Sequence, residues 1–255
     1  MGTAIIGGTG VYDPGALEDA CEERVETPWG EVRLQRGRRA GADLFFLARH
    51  GPEHSVPPHR VNYRANIWAL RELGVERILA TAAVGSLNRE MEPGAFVAVD
   101  QFIDQTRGRP GTFFDDRVVH TDLSEPYCTQ MRQALAGAAQ ELGIHLLSTG
   151  CYICTEGPRF ETPAEIRAYR RWGADLVGMT GVPEVVLARE AGICYATVAQ
   201  VTNYAAGVSP RPLSHQEVVE FMAHAALTLR QLFLAAVDRL AGQPRDCRCA
   251  ALGGF

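Results

Sequence analysis

The chain of 255 residues predicts an α/β fold on a mostly parallel or mixed sheet, and three observations carry that prediction. Short apolar runs alternate with segments of helical periodicity, the pattern of strands interleaved with helices. Hydrophobic residues make up 46% of the chain against 22% charged, enough apolar surface for a full core. No linker, repeat or low-complexity stretch divides the chain. One domain is therefore expected over residues 1–242, with 243–255 a flexible tail after Gly242-Gln243-Pro244.

Ala4-Ile5-Ile6 is the first strand, ended by Gly7 and Gly8, and Asp13-Pro14-Gly15 reads as a turn after it. Further apolar runs place strands at 44–47, 78–84, 96–99, 151–154, 176–179 and 193–201. Helical periodicity covers 59–73, 125–142, 163–172 and 183–191, and a last long helix ends near Leu240. Thr162-Pro163-Ala164-Glu165 has capping-box spacing with proline at the first helical position. Ser214-His215-Gln216-Glu217 repeats the box. Glu161 is thereby set just before one helix and His215 in the first turn of another. Residues 103–123 read as a long loop, and loops of that length often carry function.

A formal charge of −5 and the lack of any basic block argue against nucleic acid as a partner. No apolar run reaches the roughly 18 residues of a membrane span, and the MGTAIIGGTG start has neither a charged leader nor a cleavage site, so a cytoplasmic location is expected. Seven cysteines (21, 128, 151, 154, 194, 247 and 249) cannot all pair with one another. Those in apolar segments read as small core residues. Cys151-x-x-Cys154 has no second ligand pair at zinc spacing, so packing is expected there and no metal. Cys247-x-Cys249 falls in the polar tail, with a redox pair as the alternative to a floppy segment.

Polar groups gather where the strands end. In Gly7-Gly8-Thr9-Gly10 the glycines let backbone amides approach an anion and Thr9 adds a hydroxyl, although no G-x-G-x-x-G follows. Arg49 and His50 follow the second strand, where the planar fork of the arginine can grip a phosphate. Ala82 and Ala83 lie among small residues that leave backbone amides accessible, and Thr180 precedes the helix start at Pro183-Glu184, a natural phosphate contact. Open α/β sheets bind ligands at strand carboxyl ends, so the coincidence of these groups says more than any one motif.

Eight blocks extend the pattern: IIGGTG, LARHG, VNYRANIWAL, GSL, DQFID, EGPRFET, GMTGVPEVVLAREAGICYA and TN. In this order, from residue 3 to about 240, the chain resembles the methylthioadenosine phosphorylase and purine nucleoside phosphorylase family of the trimeric type. The resemblance implies a single-domain three-layer α/β sandwich around a mixed, partly barrel-like β-sheet, assembled as a homotrimer or dimer of trimers. It implies phosphorolysis of purine nucleosides to free purine and a (deoxy)ribose 1-phosphate. Inorganic phosphate is then a co-substrate, with no metal and no organic cofactor. Carried over by position, Thr9, Arg49, His50, Ala82, Ala83 and Thr180 hold phosphate, Met179 lies under the sugar and Phe160 against the base. His120, in the long loop, resembles the residue lent to a neighbouring subunit's site.

The adenine-preferring branch has a serine in place of Glu161 and aspartates in place of Asn203 and Ala205. The 6-oxopurine branch has glutamate in FET and asparagine after threonine, as in Phe160-Glu161-Thr162 and Thr202-Asn203 here. Chemistry agrees: ionised Glu161 accepts from the N1–H of hypoxanthine or guanine, and Asn203 donates to O6 while accepting from a protonated N7. Adenine would turn a bare N1 lone pair toward the carboxylate, and mispaired buried groups can cost roughly 10⁴ in selectivity. His215, in the string Ser214-His215-Gln216-Glu217-Val218, resembles the histidine that binds a 5′-hydroxyl, with Val218 beside it in the substrate-lining set. Inosine and guanosine are therefore favoured, with Asn203, Glu161 and His50 as the catalytic set. Phosphorolysis of methylthioadenosine or methylthioinosine is the second reading. A non-catalytic nucleotide-binding protein is the reading from another class, and an oxidoreductase would rest on GGTG alone.

Overall fold

Val75–Ser86 (β5) is the spine of the molecule, a twelve-residue strand whose sequence VERILATAAVGS is buried along most of its length. In the computed structural model, which describes residues 2–8, 15, 17–51, 53–209 and 215–255, with 215–224 given in backbone only, three other strands share its two edges. Gly2–Gly7 (β1) runs parallel to β5 on one edge as far as Ala80, and Cys194–Tyr204 (β11) runs parallel along the other. Leu176–Gly178 (β10) joins the first edge antiparallel at Gly85 and Ser86. Among the described residues, neither β1 nor β10 reaches Thr81–Val84 on this edge, and the sheet forks there.

Outward from β1 come Ala42–Ala48 (β4), Gly30–Arg39 (β3) and Glu18–Thr27 (β2). Outward from β10 come Cys151–Thr155 (β9) and Gln101–Gln105 (β7). Phe96–Ala98 (β6) and Leu146–Leu147 (β8) extend the sheet beyond β11, giving eleven described strands in one mixed sheet. The α/β single-domain prediction holds.

Strand alternation sorts the core into layers. Ile5, Leu79, Ala196 and Val198 face Thr129–Leu142 (α2) and His215–Leu240 (α5), sharing a cluster with Met131, Leu135, Leu229 and Phe233. Ala4, Ile6, Ile78, Ala80, Tyr195 and Val201 face the other way, toward Tyr63–Glu72 (α1) and Glu184–Glu190 (α4). Pro163–Arg171 (α3) packs with Ile153, Val177 and Ala205 in a third, smaller cluster. No helix among the described residues is long and apolar enough to cross a membrane.

Helix starts follow local chemistry. α1 begins at Tyr63, later than its periodicity suggests, because the Asn62 side chain caps it by accepting from the Ala65 amide at 3.2 Å. α3 carries the expected capping box: Thr162 accepts from the Glu165 amide at 3.2 Å and Glu165 accepts from the Thr162 amide at 2.7 Å. Residue 214 lies outside the described set, but α5 does begin at His215.

Three expectations need correction. The charged β2–β3 hairpin has no apolar run to announce it, because β2 is exposed or half-buried throughout. The long loop begins only after β7, at Thr106. The C-terminal segment does not stand off as a floppy tail. Arg77 holds the Gln243 carbonyl at 2.6 Å, Arg245 reaches the Gly192 carbonyl at 2.9 Å, and the Gly254 amide donates to Glu190 at 2.9 Å. Its last ring, Phe255, packs on Trp68, Phe113 and Phe114 with centroids 4.9–5.5 Å away.

Candidate functional site

The fork in the sheet makes the site. Ala83 is exposed in the middle of a strand that is otherwise almost wholly buried, so the unpaired edge of β5 opens onto a space. Residues predicted from five separate sequence segments stand at the strand ends around it. Arg49 and His50 follow β4, Ala82 and Ala83 lie on β5, Met179 and Thr180 follow β10, Glu161 precedes α3, and Asn203 is the next-to-last residue of β11. Thr9 and the side chains of His215 and Val218 lie outside the described residues.

Arg49 is buried, and its fork is already engaged. Nε donates to one carboxylate oxygen of Glu184 at 2.7 Å and Nη2 to the other at 2.6 Å, while Nη1 donates to the Thr81 carbonyl at 2.9 Å. Among the described residues, two of its five N–H groups remain unengaged. Burial works against the charged guanidinium. The charge and hydrogen bonds of Glu184 outweigh it and hold Arg49 above the ordinary arginine range. Glu184, fully buried, also accepts from the Tyr195 hydroxyl at 2.8 Å. An open bidentate fork, the sequence expectation, is thus corrected: the second strand's arginine is oriented by a carboxylate 135 positions away.

His50 Nδ1 lies 2.8 Å from the Val56 carbonyl oxygen, so Nδ1 carries the proton and Nε2 presents a lone pair. Burial, reinforced by the Arg49 charge, pulls this imidazole down to about 4. It is neutral at physiological pH.

Thr180 is buried but does not sit at a helix start, because α4 begins at Glu184. What shapes its turn is Tyr152, whose hydroxyl oxygen accepts from the Thr180 amide at 3.1 Å and the Gly181 amide at 3.2 Å. Gly157, with φ of 65°, brings the EGP turn against Met179; a Cβ there would come within 2.5 Å of its sulfur.

Glu161 is buried and accepts from the Thr155 hydroxyl at 2.6 Å. Burial pushes its carboxyl above the ordinary range, with the Thr155 bond opposing. The Asn203 amide is oriented on both sides. Oδ1 accepts from the Thr202 hydroxyl at 2.8 Å and Nδ2 donates to the Tyr204 carbonyl at 2.9 Å. A flipped amide would set oxygen against the Tyr204 carbonyl, so the network assigns this orientation. Gly85 packs against it, and even a Cβ there would lie 3.4 Å from Nδ2, an ordinary contact. The loop after Asn203 meets the start of α3: at Gly207 a Cβ would lie 2.8 Å from that of Pro163. Ala205 is buried, Phe160 is 39% exposed, and His120 is exposed on the long loop.

Sequence reasoning missed three residues that organise the site. Glu184 and Tyr152 read as helix start and core. Arg109, within the long loop, donates to the carbonyls of Met179 and Val182 at 2.9 and 2.7 Å and to those of Thr155 and Glu156 at 3.2 and 2.7 Å. It ties the strand before Glu161 to the turn at Thr180. The arginine-glycine-proline string around it carried no signal beyond a polar loop.

The chain as a whole matches known proteins. A family profile described as the phosphorylase superfamily covers residues 3–238. The chain belongs to that superfamily. Within it, a Moorella thermoacetica protein named "probable 6-oxopurine nucleoside phosphorylase" is 56% identical over 257 residues, spanning 100% of this chain and 98% of the relative. The 6-oxopurine nucleoside phosphorylase of Pyrococcus furiosus is 56% identical over 254 residues, 96% of this chain and 94% of its own. The methylthioadenosine phosphorylase of Schistosoma mansoni, solved in complex with adenine, shares the fold at a TM-score of 0.90 and 36% identity. That match covers 95% of this chain and 92% of that one.

Proposed function

We propose that this phosphorylase-superfamily enzyme transfers the pentosyl group of a 6-oxopurine nucleoside, inosine or guanosine, to inorganic phosphate. The observation that carries the reading is the Asn203 amide. With one N–H and one oxygen lone pair engaged by its neighbours, one N–H and one lone pair remain unengaged among the described residues. These are the groups that O6 and a protonated N7 of a 6-oxopurine require. Glu161, itself buried, supplies the acceptor for N1–H. Phe160 covers the base, Met179 underlies the sugar, and Ala205 leaves the base slot unobstructed.

Phosphate sits at the open edge of β5 against the Ala82-Ala83 backbone, with Thr9, Thr180 and the remaining N–H groups of Arg49 as donors. His50, neutral with its lone pair on Nε2, accepts a hydrogen bond from the P–OH of hydrogenphosphate and so orients it. The phosphate oxygen attacks the anomeric carbon as the glycosidic bond breaks, and the electrons of that bond pass into the purine. Asn203 stabilises the departing base, so catalysis is positioning plus electrostatics without a protein nucleophile. The sequence resemblance assigns His215 and Val218 to the 5′ end of the sugar. The reading also includes a cytoplasmic homotrimer in which His120, exposed in the single chain, reaches a neighbour's sugar.

The test is phosphate-dependent base release from inosine, methylthioinosine, adenosine and methylthioadenosine, side by side. Preference for inosine is expected. Preference for methylthioadenosine would overturn the roles of Glu161 and Asn203, and turnover of none would return the chain to a binding function.

A further inference from the structure

Four of the seven cysteines, from three distant segments of the chain, meet at one point. Cys128 precedes the first residue of α2, and its amide donates to the Tyr195 carbonyl at 2.8 Å. Cys194 opens β11. Cys247 and Cys249 arrive on the C-terminal segment, which Arg245 ties to Gly192 and which Gln130 grips twice, donating to the Pro244 carbonyl at 3.0 Å and accepting from the Asp246 amide at 3.2 Å. All four sulfurs lie within 4.8 Å of one another, and three of the four residues are buried. The Cys194 and Cys247 sulfurs are 3.3 Å apart.

These separations suit a shared central ion. Zinc–sulfur bonds of about 2.3 Å in a tetrahedron put neighbouring sulfurs about 3.8 Å apart, whereas a disulfide requires about 2.05 Å. A second observation points the same way. Arg189 is buried, its charge acts on Cys249, and its Nε is a buried donor without a hydrogen-bond partner among the described residues. Four thiolates around a divalent cation carry net negative charge, which a buried guanidinium beside them would balance.

We propose that Cys128, Cys194, Cys247 and Cys249 form a tetrathiolate site for a thiophilic divalent cation, zinc first among them, which clamps residues 243–255 onto the body of the enzyme. As the cation enters, the thiols release their protons to solvent and four metal–sulfur bonds form. The site is structural in kind, since all four positions are taken by protein and none is left for water. None of its ligands belongs to the phosphorolysis site, so either reading can fail without the other.

The test uses the untagged full chain, reduced and freed of metal, then exposed to zinc or cobalt(II). About one bound zinc per chain is expected, with the visible bands of a tetrahedral cobalt tetrathiolate and protection of four thiols from alkylation until a chelator is added. Chelation should also increase tryptic cleavage at exposed Arg248. Cys247→Ser and Cys249→Ser should lose the bound metal, while Cys21→Ser and Cys151→Ser keep it. A reduced wild-type chain that takes up neither metal overturns the proposal. So does an intact mass showing disulfides among these four cysteines that persist when reductant and zinc are supplied together.

Discussion

Glu184→Gln leaves Arg49 buried with its positive charge unmatched. The side chains of the pair are 3% and 0% exposed, so solvent screens neither partner. Glutamine keeps one acceptor but turns an NH₂ toward the guanidinium, replacing one of two short hydrogen bonds with a donor–donor contact. Removing one partner from such a buried pair costs about 3–5 kcal/mol. Urea denaturation in phosphate-free buffer should register a loss of that size. Phosphate offers the missing negative charge at the same place. A ligand at a hundred times its dissociation constant adds about 2.7 kcal/mol to stability, and the variant should gain at least about 1.4 kcal/mol more from phosphate than the parent, a tenfold tighter binding. Two results would refute the reasoning. A loss under about 1 kcal/mol would mean the pair is relaxed or solvated. Equal phosphate increments in both chains would mean that Arg49 does not face the phosphate.

Other perturbations test the base and the proton inventory. Glu161→Gln presents an N–H to N1, so the inosine-to-adenosine ratio of kcat/KM should drop by about 10–100-fold; an unchanged ratio would remove Glu161 from base reading. In the parent, whose Glu161 carboxyl is raised by burial, protonation on acidification makes it a donor, so the same ratio should decline as pH falls. A ratio flat with pH contradicts this. Asn203→Ala should lower kcat by about 10²–10³ through loss of leaving-group stabilisation, and unchanged inosine phosphorolysis would refute that role. His50, at about 4 when folded against 6.5 in an unfolded chain, excludes a proton that the unfolded state takes up. Its contribution to stability is therefore complete above 6.5 and is lost as pH falls toward 4, about 3 kcal/mol in all. His50→Asn should flatten that part of the stability–pH curve, and parallel curves for the two chains would show that His50 is not the group responsible.

Some of this protein is written in local sequence. Periodicity of two or of three to four residues sets each apolar run, Thr162 and Glu165 cap α3 within one turn, and Glu161 and Asn203 announce their chemistry by residue type at segment ends. Such signals act over a few positions and so survive in a linear reading. The β2–β3 hairpin escaped because its charged strands bury too little to make a run. What tertiary structure alone decided is partnership between segments distant in the chain. Which strands flank β5 determined that Arg49 meets Glu184 rather than standing open, and that neither β1 nor β10 pairs with Thr81–Val84 among the described residues. The path of residues 106–128 determined that Arg109 joins four carbonyls, and the packing of the C-terminal segment brought Cys247 and Cys249 to Cys128 and Cys194. Buried polar and thiol groups must find partners when water is removed, and only the folded arrangement of the sheet determines which ones are within reach.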